Sequence, residues 1–228
     1  MNSKKFIDIL HFTDVHGAAF LFEEIKEEIT VADLIIISGD ITHFGKQDEA
    51  RKILDKISPY NSNIFAVAGN CDFPVVESFL TDIKIGIHRR FVEFRGFNIV
   101  GIGGSLPCPG TTPYEYTEKE VELWLNELSL QLTGKVPFIF IVHQPPYNTL
   151  NDAVNETDHV GSKAIRKFIL EMTPVLCLTG HIHEGIGIDK LGTCKIVNPG
   201  PFRTGKYAKI RISEEYDYDI KLRQITAI

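Results

Sequence analysis

The sequence contains no long hydrophobic run. No stretch of about 18 apolar residues occurs along its 228 residues, so a helix that spans a membrane is not expected. Two lysines stand near the start, but the apolar stretch that follows them soon meets His11 and Asp14. This pattern predicts a first strand and not a signal peptide, and it favours a cytoplasmic protein without a membrane anchor.

Cysteine is scarce as well. The four cysteines lie far apart and include no Cys-x-x-Cys pair: Cys71, Cys108, Cys177 and Cys194. This spacing predicts neither a disulfide framework nor a zinc ribbon, and it fits a reduced environment. We interpret Cys108, Cys177 and Cys194 as packing residues.

The chain also has no excess of positive charge. Its formal net charge is −6, whereas broad binding to nucleic-acid backbones needs a basic face. An acidic protein is still able to bind a phosphate if it holds positive charge locally, as a metal ion would. The sequence leaves the oligomeric state open, with a homo-oligomer among the alternatives.

Short apolar runs alternate with helical patterns along the chain. In the amino-terminal half, strands are predicted at Phe6–Phe12, Leu34–Ser38 and Ile64–Ala68, and helices at Ala18–Ile29 and Lys46–Ile57. Later strands are predicted at Arg90–Phe94, Asn98–Gly103, Phe138–Val142 and Val175–Leu178 and in the tail after Gly185, with helices at Thr117–Leu132 and Ser162–Met172. Alternating strands and helices indicate a layered α/β arrangement, which we assign to one domain, residues 1–228. Two long irregular stretches, residues 105–116 and 144–160, have the length that is typical of functional loops.

Five predicted strands end in polar residues that a buried strand does not need. These residues are Asp14, His16, Asp40, Asn70, His143, His181 and His183. In α/β sheets, ligands collect just beyond the carboxyl ends of strands. Carboxylates, imidazoles and an amide together are the ligand types of a transition-metal site.

The spacing of these residues strengthens the metal hypothesis. Asp14 with His16, and His181 with His183, are i, i+2 pairs, which point to the same side in an extended segment. Glycines precede Asp40, Asn70 and His181 in the chain and permit close approach of the backbone. Asp40 has two carboxylate oxygens and is able to bridge two cations, as in two-metal sites with ions about 3.5–4 Å apart.

Each motif alone has an ordinary explanation. A single Asp-x-His is usually a turn with a surface histidine, Gly-Asp and Gly-Asn are usually turns, and His143 before two prolines could simply end a strand. Their joint occurrence, always after an apolar run, favours a metal site.

These motifs resemble the calcineurin-like metallophosphoesterase superfamily. The matches are Asp14-Val15-His16, Gly39-Asp40, Gly69-Asn70, His143 and Gly180-His181-Ile182-His183. Asn198-Pro199-Gly200 and the Gly161-Ser162 loop are similar to a prokaryotic branch related to cyclic-nucleotide phosphodiesterase-like phosphoesterases. The resemblance implies a four-layer α/β/β/α sandwich of two mixed sheets flanked by helices.

The resemblance also implies how two metals are held. The first metal would be bound by Asp14, His16, Asp40 and His183, and the second by Asp40, Asn70, His143 and His181. The expected reaction is hydrolysis of a small phosphate ester, in particular a phosphodiester, by a hydroxide bound to both metals. The mixed ligands suit two divalent ions among Mn, Fe, Zn, Co and Ni. The alternatives are a non-catalytic metal-binding scaffold for protein interaction and a nuclease that acts with a partner.

The chain departs from the superfamily at Cys71, where a histidine is most common. That histidine usually hydrogen-bonds the phosphate or protonates the leaving oxygen, and a thiol is a weaker donor. We therefore assign catalytic roles to Asp40, Asn70, Cys71, Asp72 and His143, with the proton donor and the role of Asp72 left open. His43, His159 and Arg203 are interpreted as solvated loop residues.

Overall fold

A computed structural model describes residues 6–132, 137–213 and 215–226. The charged start, residues 1–5, lies outside the described residues. The strands are β1 (Phe6–Phe12), β2 (Leu34–Ser38), β3 (Ile64–Val67), β4 (Arg90–Phe94), β5 (Phe97–Ile102), β6 (Phe138–Val142), β7 (Leu176–Leu178), β8 (Gly187–Leu191), β9 (Cys194–Asn198), β10 (Lys206–Ser213) and β11 (Tyr218–Gln224). The α-helices are α1 (Leu21–Glu24), α2 (Lys26–Val31), α3 (Gln47–Leu54), α4 (Pro74–Asp82), α5 (Glu118–Leu132) and α6 (Lys163–Met172). Within these described residues, no helix combines the length and apolarity needed to cross a membrane.

The strands form two mixed sheets. The first has five strands in the order β11-β10-β1-β2-β3, with β1, β2 and β3 parallel and β10 antiparallel to β1. The second has six strands in the order β4-β5-β6-β7-β9-β8, with β5, β6, β7 and β9 parallel. In the first sheet the strand that runs against the parallel centre is β10, which lies inside the sheet, whereas in the second sheet both edge strands, β4 and β8, run against it.

Three hydrophobic clusters place the sheets between helices. Alternate residues of β2 face opposite sides: Ile36 packs between the two sheets, whereas Ile35 packs among residues of α1–α4. In the second sheet, Ile139 faces the first sheet and Phe140 faces α5 and α6. The result is a four-layer α/β/β/α sandwich, which confirms the predicted fold class.

Most predicted elements are confirmed, but the first helix is wrong in extent. The pattern over Ala18–Ile29 is divided into α1 and α2 at Ile25, whose φ of −123° departs from helical values. Residues before Leu21 form tight turns instead, with Ala18 N–H donating to the carbonyl of Val15. The second predicted helix, Lys46–Ile57, is also shorter and ends at Leu54. For α5, the predicted capping box is confirmed, since Thr117 and Glu120 exchange hydrogen bonds.

The carboxyl ends of the parallel strands of both sheets meet at one edge. Within the first sheet, Asp14 N–H donates to the carbonyl of Gly39 at 3.1 Å. Within the second, Gly180 N–H donates to the carbonyl of His143 at 3.2 Å. The His143 ring joins the two sheets, because its Nδ1 lies 2.8 Å from the carbonyl oxygen of Ser38. Segments far apart in the sequence therefore converge where the motifs lie.

Candidate metal centre

Asp14 is the centre of a first ligand group. Its side chain is buried, and its Oδ1 lies 3.2 Å from Nε2 of His183 and 3.8 Å from Nε2 of His16. The other oxygen, Oδ2, accepts hydrogen bonds from the Thr13 hydroxyl at 2.8 Å and from His181 N–H at 3.2 Å. These bonds fix the carboxylate so that Oδ1 faces the two imidazoles. Ligand atoms of Asp14, His16 and His183 all lie within 4.8 Å of one another.

A second group forms around His143. Its Nε2 lies 3.4 Å from Oδ1 of Asp40 and 2.9 Å from Oδ1 of Asn70. Because Nδ1 of the same ring faces the Ser38 carbonyl, an acceptor, the hydrogen belongs on Nδ1 and Nε2 presents its lone pair. His143 and Asp40 are both buried. Asp14, Asp40 and His143 also offer ligand atoms within 4.8 Å of one another.

Asp40 lies between the two groups. Its Oδ2 is 3.6 Å from Nε2 of His16, and its Oδ1 is the oxygen that faces His143. One carboxylate thus presents a separate oxygen to each group of ligands. This placement is what a bridging carboxylate requires.

His181 lies beside the second group without belonging to any of the three close sets of possible ligands among the described residues. Its ring centroid is 5.1 Å from that of His143, and its Nε2 is 3.6 Å from Sγ of Cys108. Its role as a ligand stays a prediction.

Several of the candidate ligands have strained backbones. The φ angles of Asp14, His16, Asp40 and His181 are 52°, 45°, 51° and 69°. These values lie in the left-handed region, which residues other than glycine rarely adopt. The sequence argument from extended i, i+2 pairs is therefore wrong in its premise. Asp14 and His16 converge through a tight turn, whereas His183 joins Asp14 and His181 faces His143.

The glycines before the candidate ligands have a steric reason. A Cβ at Gly39 would lie 2.3 Å from Nδ1 of His143, and a Cβ at Gly69 would lie 2.1 Å from Oδ1 of Asp40. Neither contact is physically possible. Glycine is thus needed at both positions for the second group to assemble, as the sequence pattern indicates.

The two carboxylates differ in their electrostatics. Burial, together with the nearby Asp14 and Asp72 carboxylates, raises the pKa of Asp40 to about 7. Burial also acts to raise the pKa of Asp14, but the hydrogen bond with His183 and the neighbouring imidazoles outweigh it and hold that pKa well below its usual range. Crowded buried carboxylates favour a compensating positive charge.

The imidazoles are suited to bind cations. Burial lowers the pKa of His16 to about 4 and that of His181 to about 3, so both rings are neutral at pH 7. The hydrogen bond with Asp14 raises the pKa of His183. Neutral imidazole nitrogens beside buried carboxylates and an amide oxygen form a donor set that fits divalent transition metals.

Cys71 and Asp72 have different surroundings. The Cys71 thiol is half-buried and lies within 4.8 Å of ligand atoms of His16 and Asp40. Burial raises its pKa well above the usual value, and the thiol is therefore protonated at pH 7. Asp72 is fully buried and binds the two turns that carry the ligands, accepting hydrogen bonds from the N–H groups of Ile41, Thr42 and Gly69.

Loop 105–116 supplies contacts that the sequence motifs do not reveal. The Thr112 hydroxyl accepts a hydrogen bond from Asn70 Nδ2 at 3.1 Å, which aims Asn70 Oδ1 at His143. Cys108 is half-buried against His181, so its interpretation as a packing residue is wrong. The same interpretation is confirmed for Cys177 and Cys194, which are buried in the core. The only sequence signal for these contacts was the length of the loop.

Three polar loop residues outside the motifs, His43, His159 and Arg203, differ in position. The His43 ring is exposed, with its centroid 5.4 Å from that of His16. Nη2 of Arg203, also exposed, lies 3.4 Å from Nδ1 of His183. His159 pairs with buried Asp152 at 2.7 Å in loop 144–160. The interpretation as solvated residues holds for the exposure of His43 and Arg203 but misses that both border the candidate ligands, and it is wrong for His159, which is only partly exposed.

Comparison with known proteins identifies the family of this chain. A family model described as calcineurin-like phosphoesterase matches residues 7–185. An uncharacterized protein of Methanocaldococcus jannaschii, MJ1162, is 41% identical over 202 residues, which cover 86% of this chain and 89% of the relative. The crystal structure of TT1561 of Thermus thermophilus is similar with a TM-score of 0.76 at 20% identity and covers 95% of this chain and 99% of that one. An archaeal phosphodiesterase structure is similar in fold, with a TM-score of 0.50 at 15% identity and coverage of 95% and 100%. The chain belongs to the calcineurin-like phosphoesterase family.

Proposed function

We propose that this protein hydrolyses phosphodiesters with the help of two divalent metal ions. The observation that carries the proposal is the position of Asp40, whose two oxygens face His16 and His143 separately at 3.6 and 3.4 Å. A single-metal site has no need of a carboxylate shared in this way. Membership in a phosphoesterase family supports the same reaction class.

The residues of the two groups would hold the ions. Asp14, His16, Asp40 and His183 would bind the first, and Asp40, Asn70, His143 and His181 the second. Two such ions, when bound, would supply positive charge to the phosphate and would activate water as the nucleophile. The imidazole and carboxylate donors favour Mn, Fe, Zn, Co or Ni over Ca or Mg as sole occupants.

The protein's own groups orient this centre. Ser38 and Thr112 fix His143 and Asn70, and Thr13 fixes Asp14. Asp72 joins the turn after β2 to the turn after β3, which keeps Asp40 and Asn70 at a constant separation. These groups orient the candidate ligands by hydrogen bonds. Substitution of such an orienting group typically costs about 10–100-fold in metal affinity or activity.

A diester fits the charge of the site better than a monoester. Two divalent ions with two carboxylates and neutral imidazoles leave a net charge of about +2. A diester carries one negative charge fewer than a dianionic monoester and needs less neutralisation. A diester whose leaving group is stable as an anion also makes little demand on the weakly acidic Cys71 thiol.

The deciding experiment combines metal removal with a substrate panel. The protein is stripped with a chelator, assayed, and reloaded with Mn²⁺, Co²⁺, Ni²⁺ or Zn²⁺, with metal content measured at each step. The substrates are matched phosphomonoesters, phosphodiesters and cyclic nucleotides. We expect hydrolysis to vanish on stripping, to return on reloading at two ions per chain, and to be fastest for diesters. Equal hydrolysis by stripped and reloaded protein would contradict the two-metal reaction.

A further inference from the structure

The turn that carries Arg203 is fixed to the candidate metal centre. Phe202 N–H donates to the carbonyl of Thr13 at 2.8 Å, and Arg203 N–H donates to the carbonyl of Asp14 at 3.2 Å. The Phe202 ring is fully buried and stacks on Phe22 at 4.4 Å between centroids. The backbone of Arg203 is thus bound directly to the segment that presents Asp14.

A second attachment joins this turn to the histidine segment. Asn198 is buried, donates from Nδ2 to the carbonyl of Ile182 at 2.9 Å, and accepts at Oδ1 from Gly200 N–H at 2.9 Å. Because Ile182 lies between His181 and His183, the turn is held against both ligand-bearing segments. Its position relative to the centre is therefore fixed at two points.

The guanidinium of Arg203 lies one imidazole away from the Asp14 carboxylate. Its Nη2 is 3.4 Å from Nδ1 of His183, whose Nε2 faces Oδ1 of Asp14 at 3.2 Å.

Arg203 has no acidic partner among the residues that the structure describes. Two other exposed arginines do have one: Arg211 pairs with Asp8, and Arg95 pairs with Asp33. An exposed arginine at the edge of a metal centre, held in place but without a counter-charge, has its donors free for an anion from solution.

A role in orienting the His183 ring does not explain the position of Arg203. A histidine that offers Nε2 to a cation carries its hydrogen on Nδ1, and the group that orients it must then be an acceptor. A guanidinium has donors only. In the metal-loaded protein, Arg203 and Nδ1 of His183 are both donors and cannot bond to each other, which leaves the guanidinium for another acceptor.

We propose that Arg203 binds the non-bridging phosphate oxygens of the substrate and is a substrate-binding residue of this protein. The planar guanidinium matches a pair of phosphate oxygens and adds positive charge on the side of the centre formed by His16 and His183. This inference rests on the proposed function, because it takes the substrate to be a phosphate ester.

The test uses the full-length metal-loaded protein and two readouts. Calorimetry measures the Kd of inorganic phosphate, which needs no turnover, and kinetics measure KM and kcat for an aryl phosphodiester. Loss of a charged hydrogen-bonding partner predicts that Arg203→Ala weakens phosphate binding and raises KM by about ten- to a hundredfold. Arg203→Lys should recover part of the loss, since it keeps the charge and lacks the planar fork. Arg211→Ala serves as the matched control, because Arg211 pairs with Asp8 at the opposite end of β1.

The outcomes distinguish phosphate binding by Arg203 from the proposed hydrolysis. Weaker phosphate binding by Arg203→Ala at unchanged metal content supports the proposal, even if no diester is turned over and the proposed function fails. Unchanged phosphate Kd in Arg203→Ala overturns it. Loss of bound metal in Arg203→Ala, or an equal effect in Arg211→Ala, also overturns it, because the arginine would then act on His183 or on general charge.

Discussion

The backbone N–H of Cys71 donates a hydrogen bond of 2.8 Å to Oδ1 of Asp40, the oxygen that faces His143. The residue after Asn70 thereby fixes the orientation of the shared carboxylate. Because the donor is the main chain, substitutions of the Cys71 side chain preserve this bond. The contributions of the thiol and of Asp40 can accordingly be tested separately.

Asp40→Asn is expected to lose metal and activity together. The change removes the negative charge that lies between both ligand groups, while the amide oxygen is still able to accept from Cys71 N–H. We expect the metal content to fall from two ions per chain to one or none. The free energy of unfolding of the stripped protein should not fall, since the burial that raises the pKa of Asp40 also disfavours its charge.

Metal analysis and urea unfolding of the stripped form measure both effects, with exposed Asp55→Asn as the control. Two ions retained per chain in Asp40→Asn would show that Asp40 is not a bridge.

Cys71→His is expected to change the preference for leaving groups. A positioned proton donor typically contributes about 10²–10⁴-fold when the leaving group is a poor anion, and little when it is a stable one. The wild-type protein should therefore prefer aryl diesters to alkyl monoesters, and Cys71→His should accelerate the alkyl substrate more. Steady-state kinetics on matched aryl and alkyl esters provide the measurement.

Cys71→Ala is the control for this series, since it keeps the backbone bond to Asp40. If both substrates respond equally to the histidine, or if Cys71→Ala slows both, the thiol has a different role from that of a weak acid.

Asp72→Asn is expected to weaken the metal centre from a distance. One amide oxygen replaces two carboxylate oxygens, so buried N–H groups of the turns after β2 and β3 lose their acceptor. The free energy of unfolding should fall by about 3 kcal/mol. Metal affinity should fall by about 10–100-fold, as for other groups that orient ligands.

Chemical denaturation and metal titration test this, with exposed Asp48→Asn for comparison. A fall in kcat with unchanged stability and metal affinity would contradict this orienting role of Asp72.

Glu77→Gln is expected to alter how stability depends on pH. Glu77 is buried, its Oε2 accepts from Ala68 N–H at 2.9 Å, and its Oε1 has no hydrogen-bond partner among the described residues. Burial raises its pKa from 4.5 to about 7. The folded state thus holds the Glu77 proton more tightly than the unfolded state does. The stability that the protonated Glu77 provides is present below pH 4.5 and is lost as the pH rises through about 7.

Glu77→Gln lacks this titration, so its free energy of unfolding relative to wild type should rise by about 2.5 kcal/mol between pH 5 and pH 8. Urea unfolding of stripped protein at both pH values measures the gain, and exposed Glu24→Gln should show none. A constant difference between Glu77→Gln and wild type would mean that Glu77 does not titrate in this range.

The sequence indicates the sheets and the positions of the candidate ligands because both depend on local patterns. An apolar run such as Leu34–Ser38 is buried on both faces, and its end is marked by Gly39-Asp40. Gly39 indicates a close approach of the backbone to another group, because any side chain there would collide with His143.

Other features have no local pattern to reveal them. The apolar spacing continues through Ile25, so it cannot indicate the break between α1 and α2. The left-handed backbones of Asp14 and His16 are imposed by bonds to the neighbouring turn, such as that from His16 N–H to the Asp40 carbonyl. Contacts of Thr112 and Cys108 depend on the course of an irregular loop, which periodicity does not encode.

The central position of β1 has a consequence for biosynthesis. In its sheet, β1 lies between β2 and β10, and β10 begins only at Lys206. In a nascent chain on the ribosome that has not yet released β10, Asp14 therefore follows a strand with one neighbour instead of two. Since His183 and the Phe202–Thr204 turn also emerge late, early metal capture during translation lacks a complete set of donors. Under the proposed function, the complete set of donors exists only once the chain has folded.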